Sequence, residues 1–163
     1  MTATVPPIEL QTAIRPDPAQ AFELFFEGFG EWWPAAYAYA GETGLQRITL
    51  GARAGDFCHE IGPDGFRVDW GRLTEVDRPT RLKFLWQIAP DRTPSPDPKA
   101  ASEVEVVFES APAGGTRLRL THGRFERHGE GAAAYRDQMA ADEGWPYILE
   151  RFAAYADGRV RVS

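Results

Sequence analysis

Three segments in the second half of the chain alternate between apolar and polar residues, and this pattern constrains the fold more than any other feature. The segments are TRLKFLWQI (80–88), SEVEVVFES (102–110) and TRLRLTHGRF (116–125). Successive side chains of an extended chain point to opposite faces, so each segment predicts a strand with one dry and one solvated face. Such strands are typical of an antiparallel sheet whose dry face is covered by another element.

Four earlier segments extend the predicted sheet to about seven strands. They are IELQTAI (8–14), LQRITL (45–50), DFCHEI (56–61) and FRVDWGRLTEV (66–76), with Gly- and Pro-rich turns between them. On the solvated face, glutamates of one strand alternate in step with arginines of the next. We therefore expect cross-strand charge pairs between Glu103, Glu105 and Glu109 on one strand and Arg117 and Arg119 on the other.

A short amphipathic helix is predicted directly after the first strand. Asp17 is a suitable N-cap and Pro18 suits the first helical position. The motif GFGEWWP (28–34) follows, with Trp32 and Trp33 in a second short turn. We expect one of these tryptophans to anchor the helix in the core and the other to line a pocket mouth, and the sequence leaves open which does which. The predicted helix after the first strand is amphipathic because its apolar side chains fall on one stripe, which consists of Phe22, Phe25, Phe26 and Phe29.

Helical periodicity returns in the last third of the chain. Gly144 and Pro146 interrupt it, which predicts a kink or a second helix that begins near Asp142. The expected fold class is α+β: a curved antiparallel sheet wrapped round a long C-terminal helix, in one domain over 1–163. A curved sheet around one helix often encloses a cavity. The apolar stripe of the predicted C-terminal helix, which would face the sheet, comprises Trp145, Ile148, Leu149, Phe152 and Ala156.

Composition excludes several classes of function. The formal net charge is −6 and Lys83 and Lys99 are the only lysines, so we expect binding neither to nucleic acid nor to a membrane surface. The N-terminus lacks the pattern of a signal peptide and no run of 18 apolar residues occurs, which favours a cytoplasmic location. Cys58 is the single cysteine. No metal-ligand spacing, Walker loop or dinucleotide fingerprint is present, so neither a metal nor a cofactor is expected.

Four motifs in order resemble one family over about residues 8–157. They are GFGEWWP, DWGRLTEVDRPTRLKFLWQ, SEVEVVFE…GTRLRLTHGRFE and GWPYILERFAAYAD. The chain resembles the activator of heat-shock-protein-90 ATPase homologue-like branch of the START/SRPBCC superfamily. This resemblance implies a helix-grip fold with an internal pocket for apolar small molecules. The chain corresponds only to the domain that resembles the C-terminal half of the eukaryotic co-chaperone. The family name therefore does not define the activity of this chain.

The resemblance implies that aromatic residues on the inner faces line the pocket. The same residues at strand or helix spacing are equally consistent with a filled core. Trp70 precedes Gly71, which could mark a β-bulge that redirects its side chain. The predicted ligand-binding residues are Trp33, Trp70, Phe84, Trp86, Leu120, His122, Tyr135, Met139, Trp145, Leu149 and Phe152.

Three hypotheses about function remain open at this point. The first is a cytoplasmic protein, not an enzyme, that binds an apolar or aromatic small molecule. The second is an enzyme of the polyketide cyclase or aromatase kind, with His122 as acid or base and Tyr135 or Asp69 as partner. The third is a co-chaperone-like interaction protein that uses the solvated sheet face. Edge strands also leave a homodimer open. Glu60 and Asp69 are considered as polar pocket groups, although the sequence favours a salt-bridged or solvated strand position for both, and His128 is expected to be solvated.

Overall fold

A computed structural model describes residues 4–160 and contains one seven-stranded antiparallel sheet. The strand order is β1-β7-β6-β5-β4-β3-β2, so the first and last strands pair and β2 forms one edge. The predicted α+β helix-grip fold is confirmed. The strands are β1 (Ile8–Ile14), β2 (Arg47–Thr49), β3 (Phe57–Ile61), β4 (Arg67–Asp77), β5 (Arg81–Trp86), β6 (Ser102–Ser110) and β7 (Thr116–Gly123).

Two short helices follow β1, as the sequence predicts. Asp17 is the N-cap of helix α1 (Pro18–Phe26), and its side chain accepts a hydrogen bond of 2.8 Å from the backbone N–H of Gln20. Helix α2 (Phe29–Trp32) is the predicted second turn, and α3 (Gly41–Gly44) lies further along the same connection. Their phenylalanines pack on the sheet, with the Phe22 and Phe108 rings 5.3 Å apart between centroids.

The C-terminal helical region is divided into α4 (Ala132–Ala140) and α5 (Trp145–Asp157). The predicted interruption is therefore present, and the second helix begins at Trp145 rather than near Asp142. Gly144 forms the junction, where a Cβ atom would lie 2.2 Å from the backbone oxygen of Met139. Only glycine fits this close approach of the two helix ends. Helix α5 packs its apolar stripe against α1 and the sheet, with the rings of Phe152 and Phe25 5.1 Å apart.

A bulge in β4 sets the direction of one tryptophan. Cys58 pairs with Gly71 and His59 pairs with Asp69, so Trp70 has no partner residue on β3. Trp70 and Gly71 are consequently both buried, which breaks the alternation of the strand. A Cβ atom at Gly71 would lie 2.6 Å from the backbone oxygen of Leu85, so no side chain fits there. The bulge suspected from the sequence is confirmed.

The solvated face of the sheet carries ion pairs between neighbouring strands. Glu109 pairs with Arg119 at 3.2 Å, as the alternation predicts. Glu103 and Glu105 differ from that prediction, because they pair with residues on the other neighbouring strand. Their partners are Lys83 at 2.8 Å and Arg81 at 3.2 Å. No helix among residues 4–160 is long and apolar enough to cross a membrane.

Candidate functional site

The candidate site is a cavity of about 980 Å³ between the β2–β5 half of the sheet and the α4–α5 junction. The connection between α2 and α3 closes its third side. Its volume lies within the range of small-molecule sites in proteins, which is roughly 300–1,000 Å³. The lining residues are Trp33, Tyr37, Ala38, Tyr39, Ile48, Glu60, Trp70, Trp86, Ile88, Arg92, Gln138, Met139, Ala141, Asp142, Glu143, Gly144 and Ile148.

Three indole rings form one side of the cavity, and we call Trp33, Trp70 and Trp86 the tryptophan wall. The ring centroids of Trp33 and Trp70 are 6.2 Å apart and the planes differ by 14°, so these rings stack. Trp86 closes the triangle at 5.7 Å from Trp70 and 6.2 Å from Trp33. The Nε1–H group of Trp70 is buried and has no hydrogen-bond partner in the described part of the chain. Buried donors without a partner are rare in folded proteins.

The two adjacent tryptophans of GFGEWWP have different roles. Trp32 is 1% exposed and packs in the core, where its Nε1–H donates to the Phe25 carbonyl at 3.3 Å. Trp33 lies at the end of α2 and belongs to the cavity lining. The backbone leaves the helix at Trp33 with ψ near 132°, an extended value that separates the directions of the two rings. The structure thus distinguishes the core member from the cavity member.

Glu60 contributes a buried carboxylate to the lining and is 1% exposed. One carboxylate oxygen accepts from the Tyr39 backbone N–H at 2.8 Å and the other from the Ala40 N–H at 2.9 Å. Charge-assisted bonds of this kind are stronger than neutral ones. They fix the connection between α2 and α3 to β3 and therefore hold one side of the cavity in place.

The mouth of the cavity is polar. The Arg92 guanidinium lies 4.8 Å from the centre of the Tyr135 ring and donates to the Gln138 side chain at 3.3 Å. Asp142 and Glu143 lie in the α4–α5 junction and are exposed. The cavity therefore combines a deep aromatic side with a charged rim.

A chain of buried polar side chains lies behind the tryptophan wall. The Trp145 Nε1–H donates to His122 Nδ1 at 2.9 Å, and His122 Nε2 lies 2.7 Å from Ser102 Oγ. Because indole can only donate, His122 Nδ1 must accept, and the neutral ring carries its proton on Nε2. Ser102 Oγ therefore accepts from His122 and donates to His128 Nε2, also at 2.7 Å. Half-buried His128 is thus part of this chain, and the expectation that it is solvated is wrong.

Burial keeps both imidazoles of this chain neutral. Desolvation, aided by the nearby His128, lowers the pKa of His122 well below its usual value. Desolvation lowers the pKa of His128 to about 4. Unfolded histidines titrate near pH 6.5, so between about pH 6.5 and 4 the unfolded chain binds more protons than the folded one. The two histidines therefore contribute their full stability above about pH 6.5 and lose it as the pH falls.

We expect His128→Gln to make the protein less sensitive to acid. The variant starts less stable at pH 7.5, because Ser102 Oγ loses its imidazole partner, but it lacks one group that gains a proton on unfolding. The stability difference between wild type and variant should therefore narrow from pH 6.5 to pH 4. Urea unfolding followed by circular dichroism across this pH range measures the difference, and a gap that stays constant or widens contradicts the assignment.

The structure places four of the eleven predicted ligand-binding residues in the cavity lining: Trp33, Trp70, Trp86 and Met139. The other seven lie in the core outside this lining. His122 is fully buried one ring behind it, 5.6 Å from the Trp86 ring, and both of its nitrogens are hydrogen-bonded. Tyr135 accepts from the Trp86 Nε1–H at 2.7 Å and so supports the tryptophan wall from behind. The remaining five residues are Phe84, Leu120, Trp145, Leu149 and Phe152.

The structure places Glu60 and Asp69, the two carboxylates whose role the sequence left open, in different environments. Glu60 is the buried cavity group described above. Asp69 forms an exposed ion pair with Arg67 at 2.8 Å on the other side of the bulge. Cys58 is fully buried, and desolvation raises the pKa of its thiol, which leaves it unreactive.

Sequence reasoning missed the lining residues that come from irregular segments. Tyr37 and Tyr39 lie in the connection between α2 and α3, Arg92 lies in the Pro-rich loop, and Asp142 and Glu143 lie at the helix junction. None of these segments has a period that would indicate a direction. One signal in the sequence could have indicated a binding site here: the two tyrosines in the short stretch AAYAYAG (35–41), since large aromatic rings are uncommon in solvent-exposed loops.

An antiparallel sheet that encloses a cavity against its C-terminal helices defines a helix-grip protein of the START/SRPBCC class. Residues 27–157 match the family described as "Activator of Hsp90 ATPase homolog 1-like protein". The chain belongs to this family, as its four motifs indicated. None of the curated protein sequences is similar enough to this chain to count as a relative.

Solved structures with the same fold include two of appreciable sequence similarity. An anthrahydroquino-γ-pyrone synthase, Txn09, complexed with SUM, is 29% identical with a TM-score of 0.63, over 94% of this chain and 99% of that chain. The self-sacrificing resistance protein CalC from Micromonospora echinospora is 27% identical with a TM-score of 0.62, over 97% of this chain and 98% of that chain. Protein NE0264 from Nitrosomonas europaea is 13% identical with a TM-score of 0.63, over 93% of this chain and 94% of that chain, which shows the fold alone.

Proposed function

We propose that this chain binds an apolar or aromatic small molecule in the cavity between the sheet and the α4–α5 junction. The observation that carries the proposal is a cavity of about 980 Å³ with the tryptophan wall on one side. Apolar side chains that border empty or water-filled space forfeit packing, and a flat ligand restores it. Lining indoles offer such a ligand large faces for stacking.

The unpaired N–H of Trp70 supports the same proposal. A buried donor without a partner costs roughly 1–3 kcal/mol, so it is rare unless a ligand or water completes it. Trp70 lies at the β4 bulge and borders the cavity, so a ligand there would be a neighbour of its ring.

We expect Ala141→Trp to abolish ligand binding without unfolding the protein. Ala141 is exposed, has extended backbone angles (φ −71°, ψ 167°) and borders the cavity, so a large ring there fills space at the mouth. Ala133→Trp is the matched control, because Ala133 is exposed on α4 and lies outside the lining. Binding is measured by calorimetry with 2-naphthylmethanol and with any compound that native mass spectrometry finds on the purified protein. Equal binding by the two variants contradicts the proposed site.

Catalysis in the same cavity is the second candidate function. It is favoured by the 29% identity to Txn09, which is described as a synthase, over 94% of this chain. His122 is poorly placed for an acid or base on a cavity ligand, because its ring is buried and both nitrogens are occupied. Among the carboxylates of the lining, Glu60 is the buried one. A ligand recovered with unchanged mass after prolonged incubation would count against catalysis, whereas a new product that Ala141→Trp fails to form would support it.

A further inference from the structure

Glu60 is a buried carboxylate that forms no ion pair with any cationic side chain of residues 4–160. Its side chain accepts hydrogen bonds from two backbone N–H groups. Each carboxylate oxygen keeps a further acceptor site, because a carboxylate offers about four in total. Buried charges in proteins are normally paired, so an unpaired one in a cavity lining marks a position for a partner from outside the chain.

The remaining charges of the lining favour a cation as that partner. The lining contains three carboxylates, those of Glu60, Asp142 and Glu143, and one guanidinium, that of Arg92. The guanidinium is already engaged with the Tyr135 ring and the Gln138 side chain. An anionic ligand would therefore meet an excess of negative charge, and a cationic ligand would meet attraction.

The aromatic residues of the lining act in the same direction. Trp33, Trp70 and Trp86 form the tryptophan wall, and Tyr37 and Tyr39 stand near the mouth. The face of an aromatic ring carries partial negative charge and attracts a desolvated cation. Tyr39 also links the two features, because its backbone N–H is one of the two groups that hold Glu60.

We propose that the ligand of this cavity carries a protonated amine that pairs with Glu60 while its apolar or aromatic body lies on the tryptophan wall. The inference rests on the proposed function of the same cavity and names the chemical class of its ligand. Glu60 is then the residue that determines charge specificity, and the ammonium group supplies a counter-charge that Glu60 does not find among residues 4–160.

Three probes of one shape and different charge test the inference by calorimetry. They are 2-naphthylmethylamine, 2-naphthylmethanol and 2-naphthoic acid, which are cationic, neutral and anionic at pH 7. A hydrogen bond to a charged group contributes roughly 1.5–3 kcal/mol, so the amine should bind about 10-fold or more tighter than the alcohol. The acid should bind weakest of the three.

Glu60→Gln should remove the tighter binding of the amine, so that amine and alcohol bind this variant with affinities within about 3-fold of each other. Glu9→Gln is the matched control, because Glu9 is exposed on β1 and lies outside the cavity. The Glu60 variant also loses an acceptor for a backbone N–H, so binding of the alcohol reports whether the cavity survives. Asp142→Asn with Glu143→Gln leaves those bonds in place and should weaken the amine alone, more strongly at low salt.

The outcomes separate this inference from the function on which it rests. Equal affinity of wild type for amine and alcohol overturns the charge preference, while the proposed binding site stands. A preference for the acid overturns it as well and assigns the ligand contact to Arg92. If none of the probes binds, the proposed function fails and this inference fails with it.

Discussion

Replacing Trp32 with alanine should lower the free energy of unfolding by about 3–5 kcal/mol, the usual cost of removing a buried large aromatic side chain. The Trp32 ring lies 4.8 Å from Phe25, 5.1 Å from Phe29 and 5.0 Å from Phe152 between centroids, with 1% of its surface exposed. Its loss leaves a cavity where α1, α2 and α5 meet. Urea unfolding followed by circular dichroism measures the change.

Trp33→Ala is the natural comparison, since the two tryptophans are adjacent in sequence. Trp33 is also buried, but one of its neighbours is the cavity, so fewer packed contacts are lost. We expect a smaller loss of stability and a larger loss of affinity for 2-naphthylmethanol than in Trp32→Ala. A Trp33 variant that is the less stable of the two and binds normally would contradict the division of roles.

Gly144→Ala should destabilise the protein by about 3 kcal/mol or more. Overpacking usually costs about 1–3 kcal/mol because side chains move aside, whereas here the added atom meets backbone. The added Cβ would lie 2.2 Å from the backbone oxygen and 2.6 Å from the carbonyl carbon of Met139, and neither atom can move without displacing α4. Gly144 also borders the cavity, so ligand affinity should fall together with stability. Thermal and urea unfolding measure the first effect and calorimetry the second.

Gly158→Ala provides the matched control near the end of the same helix. A Cβ atom at Gly158 would lie 3.6 Å from the Ala154 oxygen, an ordinary contact, and the residue has a right-handed φ of −74°. Its replacement should change stability by less than about 1 kcal/mol and in the stabilising direction. Similar losses in the two variants would show that the helix junction tolerates a side chain.

The alternation of apolar and polar residues was by itself enough to predict the strands. Because each strand has one apolar face that must be buried, its pairing register has few alternatives. Val104 and Phe108 on β6 are buried as the alternation requires, and Glu103 and Glu105 lie on the solvated side. The same pattern could not separate a core position from a cavity position, since both are apolar and buried. Leu120 and Trp86 were predicted together, yet Trp86 alone borders the cavity.

Much of the site depends on segments without a period. The ends of α4 and α5, the loop that carries Arg92 and the connection that carries Tyr39 meet only in three dimensions. Glu60 illustrates the difficulty most clearly. Its place in β3 was predicted, but its burial follows from two backbone N–H groups about 20 residues earlier in the chain, a contact that no local pattern records.

Trp33 has a consequence for how the protein responds to light. Its ring centroid lies between 5.9 and 6.2 Å from those of Trp32, Trp70, Trp86 and Trp145. These are all five tryptophans of the chain. A molecule that contacts Trp33 in the cavity therefore lies close to every indole of the protein. We expect its binding to change the tryptophan emission, which would make the cavity's own side chains a reporter of occupancy.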